Sequence, residues 1–341
     1  MPRAPPRASV IWPIHAVAAG AYGVAMATED GQARPARDDT ATLDDGGRTV
    51  QPAPPSEVDA AASPSSTAVG AAALRAAHLI VDQAPPILDD QVSIRLLEPG
   101  AAGTIESGRE RLTDPHTRAL RCGIVVRSRF AEDRLASSVQ RDGVRQFLLL
   151  GAGLDTFAYR QPRWAHQIRI FEVDLPASQA DKRRRLARAG IVAPPNLTYV
   201  AADFASSDLV DRLATAGFDR RKPAFAASLG VLIYLTDATV DRLLDAVSSF
   251  AAGTRFVFSF TRPAVGQVAT PPRGRLAARA AELGEPWQSF MEPAAVEDRL
   301  RRRGFRLVTF AFPEDVTREY LIGRTDGLFL SPRSILADAI L

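Results

Sequence analysis

The sequence QFLLLGAGLDT, residues 146–156, decides the expected fold. An uncharged, largely apolar run ends directly in a glycine, which is typical of a strand buried on both faces of a parallel sheet. Gly151 and Gly153 follow this strand, and glycine lets a backbone approach a ligand closely. Because open α/β sheets bind ligands beyond the carboxyl ends of their strands, we expect a ligand site here.

Similar apolar runs recur toward the C-terminus and alternate with segments in which apolar residues have helical spacing. The further predicted strands are Ile168–Val173, Leu197–Ala201, Ala224–Leu229, Arg255–Phe260 and Phe305–Phe310. The predicted helices between them are Ala177–Ala189, Asp208–Ala216, Thr239–Phe250 and Pro293–Arg303. This alternation predicts a doubly wound α/β sheet.

We expect a single domain behind an N-terminal extension. Residues 1–65 are predicted to be disordered or low in complexity, because Asp, Gly, Pro, Ser and Thr dominate much of the segment. Helical spacing predicts an N-terminal helical cap over residues 66–142, and residues 143–341 form the predicted α/β core. The stretch Ser9–Ala27 resembles a signal peptide, but Pro13 and several glycines interrupt it, so we expect a cytoplasmic protein without a membrane span.

The composition excludes several classes of site. The 341 residues contain 42 Lys+Arg and 39 Asp+Glu, which gives a formal net charge of +3. The arginine runs lack the interleaved aromatic residues of single-strand binders, so we predict no nucleic-acid partner. A single cysteine, Cys122, excludes an intramolecular disulfide and a cysteine-rich zinc site. The four scattered histidines have no metal-ligand spacing, so we expect no metal.

Carboxylates end the next two predicted strands. Asp174 lies 21 residues after Gly153, where a carboxylate can accept hydrogen bonds from the hydroxyls of a ribose. The third strand ends in Asp203 and Phe204, which suit the amino group and the ring of an adenine. Together these residues predict a ligand that contains a nucleoside.

Two nucleoside ligands fit this pattern. A dinucleotide site requires G-x-G-x-x-G, because the third small residue allows close packing of the helix beside the pyrophosphate. Thr156 occupies that third position, and the carboxylate of Asp155 would repel a pyrophosphate. S-adenosylmethionine has no phosphate and carries cationic amino and sulfonium groups, so an acid in this loop favours it over NAD.

Several ordered motifs resemble one family. The stretch 146–160 resembles the first motif of the bacterial class I S-adenosylmethionine-dependent methyltransferases related to leucine carboxyl methyltransferase. The other motifs of the resemblance are Leu74–His78, Arg127–Asp133, Phe171–Pro176, Leu229–Thr236, Gly284–Trp287 and Arg324–Gly327. The resemblance covers about residues 66–330. It implies a Rossmann-like, mostly parallel seven-stranded sheet, with S-adenosyl-L-methionine as cofactor.

The resemblance also implies roles for individual residues. It assigns Arg127 to the methionine carboxylate, a task that suits the guanidinium fork. It assigns Asp174 to the ribose, and Asp203 with Phe204 to the adenine. The predicted cofactor contacts are Arg127, Gly151, Ala152, Gly153, Asp155, Asp174, Asp203, Phe204 and Leu229.

One position departs from the family pattern. Relatives in the eukaryotic branch that methylates a protein phosphatase carry Glu directly before the equivalent of Gly230, where this chain has Leu229. The departure argues against a protein C-terminus as substrate and favours a bacterial branch that acts on small molecules. Tyr234 and Trp287 are predicted to contact that substrate, and a role as core aromatics is equally open.

Five further positions allow limited interpretations. Asp155 either caps the following helix or contacts the ligand. Glu172 either pairs with a neighbouring Arg or contacts the ligand. Arg129 and Asp133 have the i, i+4 spacing of a pair on one helix. Cys122 has no recognisable catalytic partner and is expected in the core.

The predicted activity is O-methylation of a carboxylate or an acidic hydroxyl on a small molecule, such as a secondary metabolite. A carboxylate is anionic near neutral pH and needs no general base. No catalytic residue is identified, since lone histidines such as His78 and His166 are more often structural. We expect the acceptor pocket between residues 66–142 and residues 262–292. Two alternatives stay open: an NAD-dependent oxidoreductase with a degenerate fingerprint, and an S-adenosylmethionine-binding protein without catalysis.

Overall fold

The computed structural model describes residues 65–264, 281–282 and 285–341. The predicted extension lies outside the described residues, apart from Ser65. Helices make up most of the described chain up to Arg141, and strands alternate with helices from Gln146 onward. The helices therefore precede the sheet.

The sheet has the predicted Rossmann-like architecture. Its strands are Gln146–Leu150 (β1), Arg169–Asp174 (β2), Leu197–Ala201 (β3), Phe225–Ser228 (β4), Arg255–Thr261 (β5), Leu307–Ala311 (β6) and Ser334–Ile340 (β7). Across the described residues these seven strands have the order β3-β2-β1-β4-β5-β7-β6. Strands β1 to β5 pair in parallel, and β7 runs antiparallel to both β5 and β6. The prediction of a mostly parallel, seven-stranded sheet is confirmed.

The last strand, β7, is absent from the strands that the sequence pattern predicts. Asp338 lies in the middle of its sequence SILADAI and interrupts the apolar run. Arg255 on the neighbouring strand β5 donates from Nε to Oδ1 of Asp338 at 2.7 Å. Because this ion pair compensates a carboxylate on a buried strand, the charged residue is compatible with a central position in the sheet.

Side-chain caps mark the start of several helices among the described residues. Their bounds are Ser66–Val81 (α1), Gln91–Leu96 (α2), Ala101–Ser107 (α3), Arg109–Leu112 (α4), Pro115–Arg141 (α5), Phe157–Arg160 (α6), Pro176–Arg188 (α7), Leu209–Thr215 (α8), Asp237–Ser248 (α9), Pro293–Arg302 (α10) and Pro313–Val316 (α11). The Ser65 side chain accepts from the N–H of Ala68 and so caps α1. Asp114 caps the long helix α5, which has Pro115 in its first turn.

The core lies on both faces of the sheet. Leu148 and Leu150 of β1 belong to the apolar cluster that α8, α9 and α10 cover. Phe147 and Leu149, which alternate with them, belong to the cluster beneath α5. A third cluster joins the cap helices α1, α2 and α3 to Leu154, which lies in the loop after β1. The helical cap therefore packs directly on the glycine loop.

His78 and Cys122, whose side chains could be reactive, serve the structure. The Nε2 atom of His78 accepts from the N–H of Ile87 at 2.9 Å, and its Nδ1 atom lies 2.8 Å from Asp82. Cys122 is fully buried, and this burial raises the pKa of its thiol to about 12. The predicted structural interpretations of both residues are confirmed.

Neither a membrane span nor a metal cluster occurs in the part of the chain that the structure describes. No helix there combines the length and the apolar character that crossing a bilayer requires. The same residues contain no group of three or more His, Cys, Asp or Glu side chains placed to hold a metal ion.

Replacing Leu148 by Ala should lower the free energy of unfolding by about 2–5 kcal/mol, because the fully buried side chain leaves a cavity. Leu307 on the edge strand β6 is half exposed and provides the matched control. Leu307→Ala should change the free energy by less than about 1 kcal/mol. Urea denaturation followed by circular dichroism measures both, and equal losses would contradict the core described above.

Candidate functional site

The carboxyl ends of the parallel strands open into one cavity of about 590 Å³ beneath the helical cap. Its lining includes every residue predicted to contact cofactor or substrate: Arg127, Gly151, Ala152, Gly153, Asp155, Asp174, Asp203, Phe204, Leu229, Tyr234 and Trp287. The sheet explains this convergence, because β3, β2, β1 and β4 are neighbours whose ends share one edge.

The loop after β1 has a backbone conformation that favours glycine. Gly151 has a φ of +75° and Gly153 a φ of +47°, which lie in the left-handed region. A Cβ on Gly151 would collide with the side chain of Val231, and one on Gly153 would lie 3.2 Å from Cβ of Ala68. The loop is therefore packed closely between the cap and the turn that follows β4.

Two backbone N–H groups hold Asp174 at the end of β2. Its Oδ2 atom accepts from Gly153 at 2.6 Å, and its Oδ1 atom accepts from Leu175 at 2.7 Å. Burial raises the pKa of Asp174, although these two hydrogen bonds oppose the shift. Because each carboxylate oxygen can accept more than one hydrogen bond, the fixed carboxylate can still bind the hydroxyls of a ribose.

Asp203 and Phe204 follow β3 at one end of the cavity. Asp203 is exposed, and its Oδ1 atom accepts from the N–H of Ala205 at 2.8 Å. Phe204 is half-buried and packs on the cluster beneath α8 and α9. A fixed carboxylate next to an apolar ring can bind the amino group and the face of an adenine.

Asp155 lies directly before Thr156, the N-cap residue of the short helix α6, and also lines the cavity. Its Oδ1 atom accepts from the N–H of Phe157, the first residue of that helix, at 2.8 Å. Asp155 thus satisfies the first N–H of the helix from the position before the cap. Contact with a ligand stays a prediction for this residue.

Arg127 on α5 lies against the turn that follows β4. Gly230 in this turn has a φ of +73°, and a Cβ there would collide with the guanidinium of Arg127. The N–H of Gly230 donates to Oγ of Ser259 on β5 at 2.7 Å, which fixes the turn. Leu229 precedes this glycine on the cavity wall. The sequence analysis missed Gly230 and Ser259, since these contacts join residues that are far apart in the chain.

A buried ion network joins the cap to the glycine loop. Arg75 of α1 donates to the carbonyl of Leu154 at 2.5 Å and to Asp90 at 2.8 Å. Asp90 lies 3.5 Å from Arg160, which in turn binds Glu132 of α5 at 3.0 Å. Burial alone would raise the pKa of Asp90, but the two arginines outweigh it and hold the pKa below its ordinary value. Asp90 is therefore ionised at neutral pH, whereas burial raises the pKa of Glu132. The network ties the loop to the cap.

The partner of Glu172 is a lysine, so the predicted pairing with an arginine is wrong. Nζ of Lys182 lies 2.6 Å from Oε2 of Glu172, and both side chains are buried. Burial raises the pKa of Glu172 to about 7. The pair joins β2 to α7 and lies outside the cavity lining that the described residues form. Arg129 and Asp133 form the predicted helical pair, with Nε and Oδ1 2.9 Å apart.

Tyr234 and Trp287 lie on the cavity wall beside α1. Burial raises the pKa of Tyr234, whereas hydrogen bonds with Thr67 and Trp287 oppose the shift. Glu285 accepts from the N–H of Thr67 at 3.2 Å, and the N–H of Gln288 donates to the carbonyl of Ile233 at 2.7 Å. These contacts fix both aromatics as wall residues, and their contact with a substrate stays a prediction.

The segment expected to close the acceptor pocket is described only in part. Residues 265–280 and 283–284, which include the predicted motif residue Gly284, lie outside the described residues. Residues 285–288 line the cavity next to the cap, as expected for a pocket between these segments.

Sequence comparison decides the family. Residues 68–248, just over half of the chain, match the family described as "Leucine carboxyl methyltransferase". A Mycobacterium avium protein, named provisionally as an S-adenosyl-L-methionine-dependent methyltransferase, is 32% identical over 266 residues, which are 75% of this chain and 87% of that protein. The chain belongs to the leucine carboxyl methyltransferase family. The predicted family, its methyltransferase class and its cofactor, S-adenosyl-L-methionine, are thereby confirmed.

Other relatives of this leucine carboxyl methyltransferase family member match over shorter stretches. The YktD protein of Bacillus subtilis, which carries the same provisional name, is 31% identical over 189 residues; these are 54% of this chain and 62% of that protein. The match thus spans less than two thirds of YktD. Among solved structures, a DUF574 family protein from Streptomyces avermitilis has a TM-score of 0.48 at 16% identity, over 78% of this chain and 96% of that one.

Replacing Asp174 by Asn should weaken S-adenosylmethionine binding by about tenfold to a hundredfold, because the amide accepts ribose hydrogen bonds without the charge of the carboxylate. Calorimetric titration measures the change. Asp211→Asn, at an exposed position on α8, removes the same charge and should leave the affinity unchanged. Unchanged affinity in Asp174→Asn would refute the assignment of the ribose to this carboxylate.

Replacing Gly230 by Ala should weaken cofactor binding because the new methyl group displaces Arg127. Gly253 also has a positive φ, +84°, but a Cβ there meets only Pro223 at 3.7 Å. Both substitutions should therefore cost about 1–2 kcal/mol of stability, while only Gly230→Ala raises the dissociation constant of S-adenosylmethionine. Thermal unfolding and calorimetry separate the two effects, and equal cofactor affinities would contradict the role of the Arg127 contact.

Proposed function

We propose that this leucine carboxyl methyltransferase family member methylates an oxygen of a small acidic molecule, either a carboxylate or an acidic hydroxyl. The observation that carries the proposal is the extent of the cavity. Beyond the residues expected to hold the cofactor, the cavity continues to Ser259 and Thr261 on β5 and to Ser334 on β7. This second part offers space for an acceptor next to the cofactor.

The cofactor end of the cavity is acidic. Asp155, Asp174 and Asp203 all line it. When bound, S-adenosylmethionine supplies an activated methyl group on a cationic sulfonium. Carboxylates near that end favour the cationic groups of the cofactor, and Asp174 is placed to accept from the ribose hydroxyls. Arg127 offers a bidentate donor to the methionine carboxylate. The chain therefore binds and aligns the reactants, which is its main catalytic contribution.

The side chains around the acceptor end favour a nucleophile that needs no strong base. The described cavity lining contains one histidine, His116, which is exposed at the start of α5. Burial raises the pKa of the Tyr234 hydroxyl, so this group stays protonated at neutral pH and does not act as a general base. A carboxylate acceptor is already deprotonated at neutral pH. These features support O-methylation of an acid over methylation of an alcohol or a carbon.

The size and position of the cavity support a small acceptor. The helical cap lies over the strand ends, and the cap residues Thr67, Ala68 and Arg127 line the same space as the β-strand residues. Leu229 stands where the protein-methylating branch has an acid, so that polar contact is replaced by an apolar one. Both features agree with a small-molecule acceptor, not with the end of a protein chain.

Incubation with methyl-labelled S-adenosylmethionine and a panel of small carboxylic acids, phenols and amines tests the reaction. Label should appear in acids as methyl esters, which mild alkali hydrolyses to labelled methanol. Phenol ethers and N- or C-methyl products keep their label under the same treatment. The alkali step therefore separates methyl esters from all other products, and mass spectrometry of the labelled products that resist alkali identifies which atom carries the methyl group.

Asp174→Ala, which should not bind the cofactor, provides the background. Transfer to nitrogen or carbon would contradict the proposed acceptor class. Tight cofactor binding without transfer to any member of the panel, or to any molecule in a bacterial extract, would favour a binding protein without catalysis.

A further inference from the structure

Arg333 lies at the end of the cavity that the cofactor residues leave open. It directly precedes β7, whose first residue Ser334 pairs with Thr261 at the end of β5. Arg333 and both of these residues line the cavity. In the sheet order, β7 lies two positions beyond β4, which corresponds to about 10 Å at the usual strand spacing. An acceptor could thus lie between the cofactor and this guanidinium.

The guanidinium of Arg333 is held through its Nε atom and through the face that packs on Phe290. Its Nε atom donates to the carbonyl of Arg262 at 2.9 Å, and its Cζ atom lies 5.4 Å from the ring centre of Phe290. Within the described residues, no hydrogen-bond acceptor contacts its Nη1 or Nη2 atom and no carboxylate pairs with it. The two terminal nitrogens of the guanidinium, which can bind a carboxylate through two parallel hydrogen bonds, are therefore available in a fixed orientation.

Several buried or half-buried arginines among the described residues have a carboxylate partner, which Arg333 lacks. Arg75, Arg121 and Arg255 each pair with a carboxylate. Arg333 is half-buried, and burial is the cause that lowers the pKa of its guanidinium. A cation that loses water without gaining a counter-charge is costly, and a bound anion would remove that cost.

Charge is also divided along the cavity. The carboxylates of Asp155, Asp174 and Asp203 lie at the ends of β1, β2 and β3, on the cofactor side. Arg333 lies on the opposite side, beyond β5. The other lining carboxylate, Glu285, accepts from the backbone of Thr67, and no ion pair joins it to Arg333 within the described residues. The field in the open half of the cavity therefore favours an anion.

We propose that Arg333 binds a carboxylate of the methyl acceptor and selects acidic molecules over their neutral analogues. The inference rests on the proposed function for the identity of the ligand as a methyl acceptor. The anion site itself rests on the position and the free Nη groups of Arg333. Arg333 thus acts as an acceptor-binding residue, and Arg262 and Phe290 orient its side chain.

Matched pairs of acids and amides test the site. Benzoate with benzamide, phenylacetate with phenylacetamide, and salicylate with salicylamide are titrated calorimetrically into the protein saturated with S-adenosylhomocysteine. The bound cofactor product occupies Arg127, so that Arg333 remains to recognise the acid. Wild-type protein, Arg333→Gln, Arg333→Lys and the neighbouring control Arg262→Gln are compared, and thermal unfolding verifies that each variant is folded.

The wild type should prefer the acid in at least one pair by roughly tenfold to a hundredfold, the strength of a charge-assisted hydrogen bond. Arg333→Gln should abolish this preference without changing the affinity for the amide, Arg333→Lys should restore part of it, and Arg262→Gln should keep it. Affinity for S-adenosylhomocysteine should be the same in all four proteins. An acid preference that survives Arg333→Gln, or no preference in any wild-type pair, overturns the inference.

The reaction and the anion site can fail separately. If Arg333→Gln loses the acid preference but no acid receives a methyl group, the anion site is supported and the proposed reaction is refuted. If acids receive the methyl group at equal rates in the wild type and in Arg333→Gln, the reaction is supported and the anion site is refuted.

Discussion

The hydrogen bond between the N–H of Gly153 and the carboxylate of Asp174 is the contact on which the site depends. It joins the loop after β1 to the end of β2 at 2.6 Å. The bond forms because the parallel neighbours β1 and β2 end at one edge of the sheet, so that the loop after β1 lies against the end of β2. It fixes the acid, and with it the place where a ribose can bind. The remaining strand ends extend the same site in both directions.

The helical cap supports this contact from the other side. Ala68 lies within 3.2 Å of the position that a Cβ on Gly153 would occupy, and Arg75 holds the carbonyl of Leu154. Asp90 and Arg160 continue the network toward α5, which carries Arg127. The cap therefore both covers the cavity and sets the shape of the loop. These charged contacts link the cap to the loop that borders the cavity.

Much of the fold and of the cofactor site follows from the sequence, because the decisive signals are local. The apolar run of β1 ends in its own glycines, and each predicted carboxylate ends its own strand. The features that were missed depend on distant partners. Strand β7 contains Asp338, whose charge is compatible with the core because the side chain of Arg255 on β5 pairs with it.

The same limit applies to the predicted site. The close contact of Gly230 with Arg127, and the lysine partner of Glu172, arise only when the chain is folded. Arg333 is one of many arginines in the sequence, and only its place at the start of β7 brings it to the cavity. Composition therefore indicates an abundance of arginine, whereas the fold decides which guanidinium groups line the cavity.

Cofactor selectivity tests the central claim most directly, since the whole cavity is interpreted around a nucleoside with a cationic, phosphate-free tail. Calorimetric titration of the protein with S-adenosylmethionine, S-adenosylhomocysteine and NAD should show binding of both S-adenosyl compounds and no binding of NAD. Binding of NAD with neither S-adenosyl compound bound would contradict the claim.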